Sequence, residues 1–158
     1  MADKASLSII GWREWISLPE LGIVDIKAKI DTGARSSALH AFDLERFQAQ
    51  GTTMLRFKVH PIQRDSVTTI EAEAELIEER QIRNSGGHIQ LRPVIQTVVS
   101  FPQLEGYWPI ELTLTNRSLM GFRMLLGRQA IRHRFVIDPG RSYLQSAASI
   151  PRQHRYPL

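Results

Sequence analysis

Ile30-Asp31-Thr32-Gly33-Ala34-Arg35-Ser36-Ser37 is the segment of this chain best equipped for chemistry. An acid ends an apolar stretch, a small hydroxyl residue follows, and then a glycine. Glycine lets the backbone turn sharply and come close to a neighbouring chain. The Thr32 hydroxyl could tie such a turn to its partner. Asp31 would then be a carboxylate held by backbone at the base of a groove, which is what general acid–base work requires. The same Asp-x-Gly spacing also suits a plain strand–turn junction.

The elements that must hold this segment read as short strands. Ile23 to Ile30 alternates partly at period two and runs into Asp31. Met54 to His60 alternates apolar and basic residues, so one face is expected to be buried. Leu91 to Ser100 is a strand candidate interrupted by Pro93, Ile110 to Thr115 alternates clearly, and Phe135-Val136-Ile137 reads as a short buried strand before the turn at Asp138-Pro139-Gly140. Glu71 to Glu79 is ambiguous, because it alternates like a strand while its residues favour helix. One short helix is expected within Gly127–Arg134, and the stretch after Ser37 could hold another. Residues 1–7 and 146–158 read as flexible ends around a domain at 8–145.

Composition narrows the classes. The chain has 158 residues, 42% of them apolar, enough for one folded domain. It has no cysteine, which removes disulfides, thiolate metal sites and cysteine nucleophiles. No stretch approaches the roughly 20 apolar residues that span a bilayer. No secretory signal is recognisable, so a cytoplasmic location is expected. The net charge of +4 is uneven: after Arg117 the only acid is Asp138, whereas Glu71, Glu73, Glu75, Glu78 and Glu79 crowd the middle. The late arginines show neither aromatic interleaving nor a nucleic-acid motif, so a solvated surface is the simpler reading and a nucleic-acid partner is not expected.

A second segment, Met124-Leu125-Leu126-Gly127-Arg128-Gln129-Ala130-Ile131, is an apolar run followed by glycine, arginine and the expected helix. Together with the Asp31 segment it resembles the retropepsins, the homodimeric aspartic peptidases of retroviral type. Gly11-Trp12-Arg13-Glu14-Trp15, Leu18-Pro19, Ala28 to Ala34, Ala38-Leu39-His40-Ala41, Arg92-Pro93-Val94-Ile95 and Leu125 to Arg128 together are similar to one bacterial branch, over roughly residues 8–145. That branch is labelled ATP-dependent zinc protease, is also described as retropepsin-like, and is associated with RimK-type ATP-grasp peptide ligases.

The resemblance implies an all-β, retropepsin-like acid protease barrel with one short C-terminal helix, active as a homodimer. It makes Asp31 the catalytic carboxylate, with Thr32 and Gly33 in its loop, and Leu126, Gly127 and Arg128 as the strand and helix beneath that loop. It places a substrate-covering flap at the turn Asn84-Ser85-Gly86-Gly87, with Ser85, Gly86 and Gly87 at its tip, Arg83 at its base, and Ala34 and Arg35 beside the substrate. It implies a peptide or protein substrate, acidic if the ligase association carries over. No cofactor is expected. His40, His60, His88, His133 and His154 show no ligand spacing for zinc, and the chain has no phosphate-binding Gly-x-x-x-x-Gly-Lys loop. A zinc-dependent peptidase and a non-catalytic peptide-binding module of the same fold stay open as alternatives. Viral-type members usually carry an acid after Asp-Thr-Gly-Ala that pairs with the late arginine. Here Arg35 stands in that place, so Arg128 cannot make that pair. Arg35 could instead read an acidic substrate, or pair internally with Glu14 or Asp43.

Overall fold

Eleven strands, one short α-helix and a 3-10 turn at Pro19–Leu21 make up the computed structural model, which describes residues 7–84, 86–116 and 121–146. The strands are β1 (Ser8–Gly11), β2 (Arg13–Leu18), β3 (Ile23–Asp31), β4 (Ser37–His40), β5 (Phe42–Ala49), β6 (Thr52–Val59), β7 (Ile70–Arg83), β8 (Ile89–Val99), β9 (Trp108–Thr115), β10 (Met124–Gly127) and β11 (Phe135–Asp138). Helix α1 spans Arg128–Ile131. Among these residues no helix is long and apolar enough to cross a membrane.

Nine strands form one sheet in the order β2-β3-β10-β4-β9-β8-β7-β6-β5, and β1 pairs with β11 in a separate parallel ribbon. The all-β expectation holds, but the sheet is not a closed barrel. It curls until β2 touches the end of β8 through a single bridge, with Ser17 N–H donating to Ser100 O at 2.9 Å and Ser100 N–H to Ser17 O at 3.0 Å. Rolling the sheet gives it an inside. Ile16, Ile26, Ala28, Leu39, Phe57, Ile95, Leu112 and Leu126 are buried there, and burying a branched or aromatic side chain of this size is worth roughly 1.5–3 kcal/mol.

Alternation explains which face each strand buries. In β3, Ile26, Ala28 and Ile30 are buried, while Lys27, Lys29 and Asp31 stay partly accessible. In β6, Leu55, Phe57 and Val59 are buried, as their spacing requires.

Two expectations are corrected and one ambiguity is resolved. The stretch after Ser37 is not helical but forms β4, because Ser37–His40 pairs in parallel with Leu112–Thr115 of β9. The ambiguous Glu71–Glu79 is strand: Ala72 and Ala74 are buried, and the intervening glutamates face outward, where Arg56 meets Glu71 and Glu73. Helix-favouring composition loses here to pairing with both β6 and β8. Val136 of β11 is half-exposed rather than buried, since β11 has only β1 beside it. Pro93, expected to interrupt a strand, stands inside β8 but one residue outside the β8–β9 ladder, which begins at Val94.

Candidate active site

Asp31 is the last residue of β3, and its position is fixed from two sides. β10 runs parallel to β3, with Leu126 opposite Ile30 and Gly127 opposite Asp31. The same strand runs antiparallel to β4, with Met124 opposite Leu39 and Leu125 opposite Ala38. β10 therefore lies between the strand that enters the Asp31 loop and the strand that leaves it. The loop has to cross the end of β10.

That crossing is close. A Cβ on Gly127 would lie 2.4 Å from Ser36 O and 2.5 Å from Ser36 C, so only glycine fits. Gly127 N–H donates to Ser37 Oγ at 3.0 Å, and Thr113 Oγ donates to Ser37 O at 3.2 Å. The helix that follows takes the loop's carbonyls: Arg128 N–H donates to Ala34 O at 2.7 Å and Gln129 N–H to Arg35 O at 3.0 Å. The Arg128 guanidinium donates to Thr32 O at 3.0 Å. With Arg35 in place of an acid, the late arginine thus holds the loop through a backbone carbonyl.

Within the loop, Asp31 Oδ1 accepts from Gly33 N–H at 3.0 Å and Ala34 N–H at 3.2 Å. These bonds orient the carboxylate without a flexible partner. Gly33 has no left-handed backbone; a Cβ there would sit 3.3 Å from Asp31 Oδ1. Its smallness keeps space beside the acid. Thr32 and Gly33 are exposed, so the tip of the loop is open to a second molecule.

Arg35 is exposed and lines a cleft of about 410 Å³ with Ser36, Arg80, Gln81, Ile82, Glu111 and Gln129. Neither internal acid suggested for it is available. Glu14 is fully buried among the N–H groups of Gly11, Leu144 and Gln145 and the hydroxyl of Ser146, and Asp43 pairs with Lys58. Arg80 was missed from sequence. It bonds Glu111 at 2.9 Å and also Glu78, and these carboxylates hold its guanidinium charged beyond its usual range. Its proximity to Arg35 depends on the β7–β9 layout and leaves no local signal.

The β7–β8 hairpin places Arg83 at the end of β7, exposed and opposite Ile89. Arg83 does not line the Arg35 cleft, whereas Arg80 and Ile82 do. At the hairpin tip Asn84 Oδ1 accepts from Gly86 N–H and His88 N–H, each at 3.0 Å. Ser85 lies outside the described residues. Leu126 is fully buried beneath the Asp31 loop. Ser146, expected at the start of a loose tail, is buried against Glu14 and Trp15. Among the described residues no group of three or more His, Asp or Glu side chains is placed to hold a metal ion, and His154 lies outside them.

A probable alpha-L-glutamate ligase of Desulfotalea psychrophila is 45% identical over 139 residues, which are 88% of this chain and 30% of that protein. One from Parasynechococcus marenigrum is 46% identical over 135 residues, 85% of this chain and 28% of its own length. The chain therefore spans less than a third of these relatives. A crystal structure of a Legionella pneumophila protein of unknown function superposes with a TM-score of 0.74 at 27% identity, covering 89% of this chain and 100% of the other. Residues 9–148 match the model of the RimB-like family, described as the retropepsin-like aspartic endopeptidase RimB. The sequence motifs, the strand threaded beneath the Asp31 loop and this match agree: the chain belongs to the RimB-like family of retropepsin-like aspartic endopeptidases.

Proposed function

We propose that this chain is one half of an aspartic endopeptidase that cleaves acidic, glutamate-containing peptides. The observation that carries the reading is Asp31, held by two backbone N–H groups where β3 enters a loop that is braced by β10 and exposed at its tip. Asp-Thr-Gly occurs once in the chain, so one copy supplies one carboxylate. In a two-fold homodimer Asp31 meets its symmetry mate. Two carboxylates that close share one proton. The ionised member takes a proton from water, the oxygen of that water attacks the peptide carbonyl, and the protonated member donates to the carbonyl oxygen. Glutamate is favoured as the substrate residue because relatives that share this fold over part of their length are named probable alpha-L-glutamate ligases. Arg35, exposed at the cleft beside the loop, supplies charge for such a substrate, whereas Arg80 in the same cleft is already paired with Glu78 and Glu111.

The test is Asp31→Asn, which is nearly isosteric. It should abolish hydrolysis of glutamyl peptides and leave folding and dimerisation intact. Adding excess Asp31→Asn protein to the wild type should also inhibit it, because mixed dimers hold only one acid. Turnover above a few per cent of wild type in a clean Asp31→Asn preparation would sink the mechanism. Selective binding of glutamyl peptides by a wild-type protein that never hydrolyses them would favour a non-catalytic binding module.

A further inference from the structure

The outward face of β2 and β3 carries a row of cations that ends at Asp31. Lys27, Lys29 and Asp31 alternate with buried Ile26, Ala28 and Ile30, so the three share one side of the strand. β2 adds Arg13 directly opposite Lys29 and Trp15 directly opposite Lys27. Asp25, further back on β3, is buried. Strand geometry sets Lys29 about 7 Å and Lys27 about 13 Å from Asp31 along the backbone.

Two cations of this row, Arg13 and Lys27, are held by their neighbours. The Arg13 guanidinium sits 4.6 Å from the Trp12 ring and 5.1 Å from the Tyr143 ring, and its Nε donates to Ser142 Oγ at 3.1 Å. Tyr143 stacks on Trp15 at 6.3 Å, and the Lys27 ammonium lies 5.3 Å from the Trp15 ring. Trp12, Arg13, Tyr143, Trp15 and Lys27 follow one another in one ladder, which fixes the Arg13 and Lys27 side chains that would otherwise lose much entropy on binding. Burial, and then the like charges of Arg13 and Arg64, push the Lys27 ammonium below its usual range. Lys27, Arg13 and Arg64 repel one another, and an anion laid beside them relieves that repulsion.

We propose that this face is a carboxylate-binding track of the active site, in which Lys29 and Arg13 hold the acidic side chain next to the cleaved bond and Lys27 holds one further along. The assignment rests on Asp31 being the reacting group. It solves a difficulty of that reaction: an acidic peptide is repelled by catalytic carboxylates, and cations one pleat away offset the repulsion. An acidic peptide fits better than single-stranded nucleic acid. The rings are already stacked on the protein's own cations and on each other, so they are occupied as platforms for bases.

The experiment measures binding in the Asp31→Asn background, so that no cleavage intervenes. The probes are a labelled peptide bearing alternate α-linked glutamates, its glutamine match, and a single-stranded oligonucleotide. Lys29→Gln and Arg13→Gln should each lower the Glu-over-Gln binding ratio about tenfold, the scale of one charge-assisted hydrogen bond, and Lys27→Gln by a few-fold. Lys29→Arg should restore most of the ratio, and added salt should shrink every difference. Arg13→Gln could also loosen the ladder, so thermal unfolding is followed. The half-buried Lys29 lies outside the ring contacts of Arg13, so Lys29→Gln and Lys29→Glu, followed by thermal unfolding as well, carry the test separately. Equal losses for both peptides, or none, overturn the track. So does loss confined to the oligonucleotide. If the wild type hydrolyses glutamyl peptides but Lys29→Gln keeps full selectivity, the track fails and the peptidase stands. If wild type never hydrolyses yet selectivity falls as stated, the track stands and the peptidase fails.

Discussion

Gly127→Ala tests the crossing beneath the Asp31 loop with a single added methyl group. Gly127 has an extended backbone, φ −86° and ψ 172°, that alanine adopts without strain. The cost is therefore purely one of space. The added Cβ would lie 2.4 Å from Ser36 O, 2.5 Å from Ser36 C and 3.0 Å from Ser37 N. All three are backbone atoms, so no side chain can swing away. β10 or the loop must shift, at a cost of about 1–3 kcal/mol for overpacking. The shift also stretches the 3.0 Å bond from Gly127 N–H to Ser37 Oγ, worth about 1 kcal/mol. A total of about 2–4 kcal/mol should lower Tm by roughly 4–16 °C for a domain of this size. Because the displaced atoms belong to the Asp31 loop, turnover at 25 °C should fall by more than the unfolded fraction explains. Gly51→Ala is the control. Gly51 has φ 79° with nothing within 4 Å of the added atom, and it lies in the β5–β6 turn at the far end of the sheet. Its left-handed backbone costs alanine about 1–2 kcal/mol. It should lower Tm and leave turnover of the folded protein unchanged. Wild-type turnover in Gly127→Ala, or equal losses of turnover in both variants, would refute the claim that β10 sets the position of Asp31.

Three further outcomes are expected. Glu14→Gln should destabilise by about 2–4 kcal/mol in urea unfolding and speed proteolysis near residue 144, because an amide must point an N–H₂ at donors that the buried carboxylate now accepts. Asp65 accepts from Thr68 N–H and Oγ and from Val67 N–H, and these bonds hold its carboxyl below the usual range. A depressed folded-state pKa gives stability that is present above the unfolded value and lost as pH falls through the folded one. The Tm advantage of wild type over Asp65→Asn should accordingly be full at pH 6 and fade below about pH 4. Arg35→Ala should lose on the order of 1.5–3 kcal/mol of transition-state binding for acidic peptides and much less for neutral ones in kcat/KM, if Arg35 meets substrate from its cleft. Equal losses would make Arg35 structural.

Local pattern in the sequence carried the all-β class, five of the eleven strands (β3, β6, β8, β9 and β11) and the Asp31 loop. Period two marks which face of a strand is buried, and β3 and β6 follow it residue by residue. The Asp-Thr-Gly and Leu-Leu-Gly-Arg segments also stand out as unbroken local runs. What the pattern does not encode is the partner strand. Nothing near Met124 says that β10 will enter between β3 and β4, since the Gly127–Ser37 bond joins residues 90 positions apart. Pairing on both sides turned the glutamate-rich stretch into β7, overriding helix propensity, because Ala72 and Ala74 could face the core only on an extended backbone. Glu14 looks like a surface acid in sequence and is buried, because the returning segment at 144–146 brings it donors. The cation row is likewise visible in pieces, as Arg13, Lys27 and Lys29. Its continuity arises only when β2 and β3 pair in register, setting opposite one another residues that are distant along the chain.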